Sequence, residues 1–171
     1  VCFPFFTSRA TEVVHRLLGI TPAANTVLLT DGYAVYQRYA KQTGLTHAQC
    51  WAHARRTMHE AQNIEPQLVA EALSQIHALY AVEQRIRDHR LAGESKKLHR
   101  LTYSKPIVEC FFAWIDRQFQ RQGLLPSNPF TQALEYVHAR WWGLEVFLRD
   151  PAVPIDTNHL ERALRAIRMG R

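Results

Sequence analysis

The chain has 171 residues, 47% of them hydrophobic, with 21 Lys and Arg against 15 Asp and Glu. This size and apolar content suit one folded domain with a sizeable core and argue against disorder, and the net charge of +6 points to an anionic partner such as nucleic acid. No apolar stretch approaches the roughly 18 residues of a membrane span, and the N-terminus lacks the basic start and apolar centre of a signal peptide. Three widely spaced cysteines, Cys2, Cys50 and Cys110, speak against a disulfide framework and for a reducing compartment. The expectation is a soluble, intracellular protein. The chain begins on Val1 and stops on "RMGR" directly after an amphipathic stretch, so both ends read as cut.

"VCFPFF" reads as a strand in spite of Pro4. "SRATEVVHRLLG" follows as a helix, with Val13, Val14, Leu17 and Leu18 at helical spacing, Ser8 placed to cap it and Gly19 to end it. "TVLL" reads as a buried strand closed by Thr30, Asp31 and Gly32. "YAVYQRYAKQTG" is the next helix, with Tyr33, Tyr36 and Ala40 on one face and Gly44 as its stop, and "LTHAQC" is a weaker strand. This alternation implies an α/β layer of parallel strands joined by crossover helices.

From "WAHARRTMHEA" onward the pattern is helical, with predicted breaks at "NIEP", around Gly93, between Ser104 and Pro106, and at "GLLPSNP". Residues 66–122 form two or three helices of an inserted subdomain, with Leu73, Ile76, Leu79 and Tyr80 on one face. "PFTQALEYVHARWWGLEVFL" reads as one further helix, its stripe made by Leu134, Val137, Trp141, Leu144 and Leu148. The Trp141–Trp142 pair reads as core rather than as a ligand platform. The last helix, "NHLERALRAIRMGR", has a predicted buried stripe of Leu160, Ala163, Leu164 and Ile167, which places Glu161, Arg165 and Arg168 on a different face.

Several residues bear two readings. Asp31 ends a parallel strand, where open α/β sheets place their ligands, yet Asp-Gly is also a common turn. Glu161 stands three residues after Asn158, which suits a capping box, and also suits a second carboxylate in the cleft of Asp31. Mg²⁺ takes oxygen ligands and is usually held by one or two carboxylates, with water and substrate phosphate completing its shell. Cys50 and His53 in "CWAHARR" have the spacing of half a structural zinc site, but no second tight pair follows. Arg55 and Arg56 form either a solvated face or a phosphate grip. Arg162, Arg165, Arg168 and Arg171 recur every third residue beside Glu161, as a solvated helix face or as a phosphate track flanking a metal ligand.

Taken in order, "LLTDGYAVY", "CWAHARR" and "PIDTNHLERALRAIRMGR" resemble the catalytic region of bacterial transposases of the insertion-sequence 66 group. The resemblance covers nearly the whole chain. It implies an RNase H-like α/β fold in which two Asp and one Glu hold two divalent ions, Mg²⁺ or Mn²⁺, and cut and rejoin DNA. Asp31 matches the second acid and Glu161 the third. Residues 1–53 then belong to the catalytic core, 54–125 to the helical insertion, and 126–171 to the C-terminal helices carrying the Glu. The implied partners are transposon ends and target DNA, gripped by Arg55, Arg56, Arg162, Arg165 and Arg168, within a homo-oligomeric complex in the bacterial cytoplasm. "TN", Thr157 and Asn158, stands where the family usually has "NN". The chain reads as opening on the third strand of the fold, because the only acid before Asp31 is Glu12, on the first helix. The first acid is then absent, and the expectation is that these residues alone bind Mg²⁺ weakly and cut DNA little. A non-catalytic DNA-binding or assembly module, or a decayed remnant, is the alternative.

Overall fold

The computed structural model describes residues 11–19, 23, 25–121 and 125–168, with the side chains of Thr11 and of residues 164–168 left aside. The predicted strand at "VCFPFF", the Ser8 cap and Cys2 lie outside the described residues. Helix α1 spans Thr11–Leu18 and ends at Gly19, which takes φ 85° and donates its N–H to His15 O at 2.9 Å. A left-handed φ of this kind favours glycine, which has no Cβ to clash there. Strands β1 (Val27–Thr30) and β2 (Thr46–Gln49) pair in parallel, in register from Val27↔Thr46 to Thr30↔Gln49. Helix α2 (Ala34–Thr43) makes the crossover between them and stops at Gly44, φ 71°, as its position in the sequence predicts. Val14, Val35 and Tyr39 bury together between α1 and α2, and the Tyr39 hydroxyl donates to Gly19 O at 2.8 Å.

Helix α3 (Trp51–Glu60) begins as soon as β2 ends. It is followed by α4 (Pro66–Asp88), α5 (Gly93–His99), a π-helical turn at Arg100–Ser104, and α6 (Lys105–Phe119). Three short helices, α7 (Pro129–His138), α8 (Trp141–Leu144) and α9 (Val146–Arg149), precede α10 (Asn158–Arg168). The described residues thus form a mostly helical α/β unit around a two-stranded parallel sheet. The main core is aromatic. Trp51 is fully buried against Phe111, Phe112 and Phe147, with its indole N–H donating to Leu144 O at 2.9 Å. No described helix is long and apolar enough to cross a membrane.

Four expectations change. The chain does not break between Ser104 and Pro106: a π turn, with Lys105 N donating to Arg100 O, carries it into α6, where Pro106 sits in the first turn and its missing N–H is tolerated. The predicted long helix after Pro129 is split into α7, α8 and α9. Gly143 lets α8 lie on β2, since a Cβ there would meet Gln49 Cγ at 2.5 Å and His47 O at 3.0 Å. Trp142, read as core, is 79% exposed. Leu160 is 42% exposed and Ala163 is exposed, so neither forms the predicted buried stripe of α10.

The π turn also places one unusual charge. Arg100 is completely buried, its Nε and Nη2 donating to the two carboxylate oxygens of Glu83 at 2.7 and 2.8 Å. Its Nη1 donates to the carbonyls of Phe147 and Val153 at 2.7 and 2.9 Å. One side chain therefore joins α4 to α9 and to the loop that leads into α10.

Candidate active-site cleft

Asp31 follows the last residue of β1, and its setting answers to both of its readings. Its Oδ1 accepts from Tyr33 N at 3.2 Å, the local bond of an Asx turn, while the side chain stays exposed. Gly32 takes φ 87°, and a Cβ there would meet Arg140 Nε at 2.5 Å and both the Tyr136 hydroxyl and Gln49 Oε1 at 3.0 Å. Only glycine fits that turn. Tyr136 O–H donates to Asp31 O at 2.9 Å, and Arg140 Nη2 donates to Gly32 O at 3.1 Å with its guanidinium 3.6 Å above the Tyr136 ring. The turn is held from behind by Tyr136 on α7 and by Arg140, the residue immediately before α8.

The start of α10 is held as firmly. Asp156 Oδ1 accepts from Asn158 N at 3.0 Å, and its Oδ2 accepts from Asn158 Nδ2 at 2.6 Å and from the Tyr80 hydroxyl at 2.9 Å. Burial first, and then the Asp156 carboxylate, push the Tyr80 pKa well above its ordinary value. Trp51 N donates to Ile155 O at 3.1 Å, and Cys50 Sγ lies 3.4 Å from Thr157 Oγ1. Because α10 starts at Asn158, it is Asp156 that satisfies the first N–H. The predicted capping box would need Asn158 outside the helix. Among the described residues Glu161 has no hydrogen-bond or ion-pair partner for its carboxylate.

These two supports bring Asp31 and Glu161, 130 positions apart, to one cleft of about 410 Å³. His53 and Thr157 complete its polar side, and Val14, Leu17, Leu18, Leu28 and Leu160 form its apolar side. His53 Nδ1 is buried there without a hydrogen-bond partner. No group of three or more His, Cys, Asp or Glu converges as a metal cage among the described residues. Cys50 is buried just ahead of α3 against Thr157, behind the cleft wall, and does not itself line the cleft.

Arg55 and Arg56 are exposed on α3 and line a neighbouring basic cavity of about 410 Å³ with His59, His77, Tyr80 and Asn158. Arg162 is exposed on α10. Arg165 and Arg168 lie on the same helix, with side chains outside the description. Sequence reasoning missed Tyr136, Arg140 and Asp156. The last had a legible signal, an Asp two residues ahead of a helix start. Tyr136 and Arg140 carried only a four-residue spacing that many helical pairs share.

In class, the protein is a basic, mostly helical α/β protein whose cleft carries two carboxylates beside a cationic cavity. The sequence pattern of the transposase IS66 family matches residues 1–171, and the chain belongs to that family. It is similar to three uncharacterized proteins of Sinorhizobium fredii (strain NBRC 101917 / NGR234). It is 28% identical to y4hP over 85% of this chain and 29% of the relative. It is 26% identical to y4jD over 100% and 34%, and 27% identical to y4qI over 96% and 31%. The chain thus spans about a third of the length of the curated relatives it matches. No solved structure matches it.

Proposed function

We propose that the chain is part of the RNase H-like catalytic core of a DNA transposase, with Asp31 and Glu161 as two of its acidic residues. The observation that carries this reading is the shared cleft of these two carboxylates, drawn from distant parts of a basic chain. Glu161 has no partner among the described residues, and Asp31 spends only Oδ1 on its own turn. Two such oxygen donors fit Mg²⁺ or Mn²⁺, which take few protein carboxylates and fill the rest of their shell from water and phosphate. When bound, the ions would supply charge stabilisation and nucleophile activation for phosphoryl transfer.

The protein's own share of the chemistry is placement. The Tyr136–Arg140 brace fixes the turn that presents Asp31, and Asp156 with Tyr80 fixes the helix that presents Glu161. His53, with a buried Nδ1 unpaired in the same cleft, is within the polar wall that substrate would meet. Arg55, Arg56 and Arg162 offer exposed cations for backbone phosphates, where guanidinium forks match phosphate oxygens.

The test is Glu161→Gln in the full-length protein, read by strand transfer and by DNA affinity. Strand transfer is expected to fall by at least a hundredfold, with affinity changed less than twofold. Undiminished transfer by the variant would end the catalytic reading in favour of a DNA-binding or assembly module.

A further inference from the structure

Trp142 is the most exposed large apolar side chain among the described residues. It also continues a column of rings that rises out of the core. Buried Phe112 stacks on Trp141 with centroids 4.3 Å apart and planes 1° apart, and Trp141 lies against Trp142 at 6.3 Å and 20°. The column ends at an indole that is 79% open. A fixed, exposed indole is a stacking platform for another flat ring.

The chemistry beside the platform selects which ring. A cavity of about 340 Å³ is lined by Trp142 together with Gly32, Lys41, His47, Gln49 and Arg140. Lys41 is exposed, and Arg140 Nε is buried with no hydrogen-bond partner. Burial, and secondarily the charge of Arg140, lower the pKa of His47, whose Nε2 pairs with Thr30 Oγ1 at 2.8 Å, so the imidazole adds no charge to this wall at pH 7. On its opposite side Trp142 borders a cavity lined by Glu145, Arg149 and Asp150, where Arg149 pairs with Glu145 at 3.7 Å and Asp150 adds a further carboxylate, whereas the Lys41 and Arg140 side carries no acid and is the better one for a phosphate. The cavity also touches the rear of the turn that presents Asp31, because Arg140 is bonded to Gly32 O.

We infer that Trp142 and this cavity form a subsite for an unpaired nucleotide of single-stranded DNA, the base stacking on the indole and Lys41 with Arg140 neutralising its phosphate. The choice of DNA as the polymer rests on the proposed transposase function. Stacking on an aromatic ring tolerates any base, so the subsite reads strand separation rather than sequence.

The experiment uses the full-length protein, a thymidine oligonucleotide carrying one 2-aminopurine, and a duplex of the same length. Binding is expected to quench the 2-aminopurine. Trp142→Ala is expected to abolish the quench and weaken single-strand binding about tenfold, with duplex binding within twofold and the melting temperature unchanged. Trp142→Phe is expected to restore most of the quench. Equal losses for both DNAs, no loss for either, or dissociation of an oligomer with single-strand affinity intact would each overturn the subsite. Strand transfer separates the two ideas. A protein that transfers strands but shows no Trp142-dependent quench retains the catalytic core and loses the subsite. One that binds single strands through Trp142 without any transfer retains the subsite and loses the core.

Discussion

Glu83 and Glu161 are both helical glutamates in a basic chain, and their surroundings differ in every respect. Glu83 is buried on α4, with both oxygens taken by the fully buried guanidinium of Arg100, which the carbonyls of α9 and the following loop hold in turn. Glu161 is half-buried on α10 and has no partner among the described residues. A charge whose counter-charge lies within the chain can hold the fold together, because its desolvation is offset internally. A carboxylate left open on a cleft wall faces whatever enters from outside. Glu83 is committed to architecture, and Glu161 is left open to what enters the cleft.

The largest expected effect tests that contrast on stability. In Glu83→Gln the shape is kept, but a buried arginine loses its counter-charge and meets an amide N–H₂ in place of one oxygen. Breaking one side of a buried pair costs about 3–5 kcal/mol, so the denaturant midpoint is expected to fall steeply. Glu161→Gln changes a half-exposed group with no partner among the described residues and is expected to stay within about 0.5 kcal/mol of the parent. Similar losses for the two variants would erase the distinction between the regions.

Gly32→Ala sharpens the comparison from the side of the cleft. The new methyl would sit 2.5 Å from Arg140 Nε, on a backbone at φ 87°, so the guanidinium must leave its bonds to Gly32 O and Tyr136 O. The expected cost is about 1–3 kcal/mol. Because the same brace orients Asp31, strand transfer is expected to fall together with thermal stability. Wild-type behaviour on both counts would mean that the turn tolerates movement and that the brace does not position the carboxylate.

What the sequence made legible was local. Gly19 and Gly44 end their helices because a left-handed residue is a property of one position, and Asp31 lands at the end of a parallel strand because short apolar runs between helical repeats have few other readings. The juxtaposition of Asp31 with Glu161 followed from a resemblance across three ordered motifs, not from periodicity. The misses were tertiary. Apolar spacing alone cannot reveal that the run from Pro129 to Leu148 divides where Gly143 lets a helical turn settle on β2, and so could not foresee that Trp141 is half covered while Trp142 faces outward. Nor could a predicted break at Pro106 be told from a π turn whose first residue, Arg100, finds Glu83 seventeen positions earlier.

The smallest expected loss from breaking an internal contact concerns the support of α10. Tyr80→Phe removes a hydroxyl that donates to Asp156 Oδ2 at 2.9 Å and leaves that carboxylate to Asn158 alone. A net loss of about 1 kcal/mol is expected at neutral pH. Its pH dependence identifies the cause. Burial and Asp156 raise the Tyr80 pKa above the ordinary 10.0, so the folded protein keeps this proton after the unfolded chain has released it. The contribution is therefore complete below about pH 10 and declines as the pH rises further. The stability difference between wild type and Tyr80→Phe, measured by urea unfolding, is expected to be flat up to that point and to shrink beyond it, with the other tyrosines and lysines cancelling between the two proteins. A difference that stays constant through alkaline pH would mean that the hydroxyl only fills space, and that α10 depends for its placement on Cys50, Trp51 and the Asx turn of Asp156.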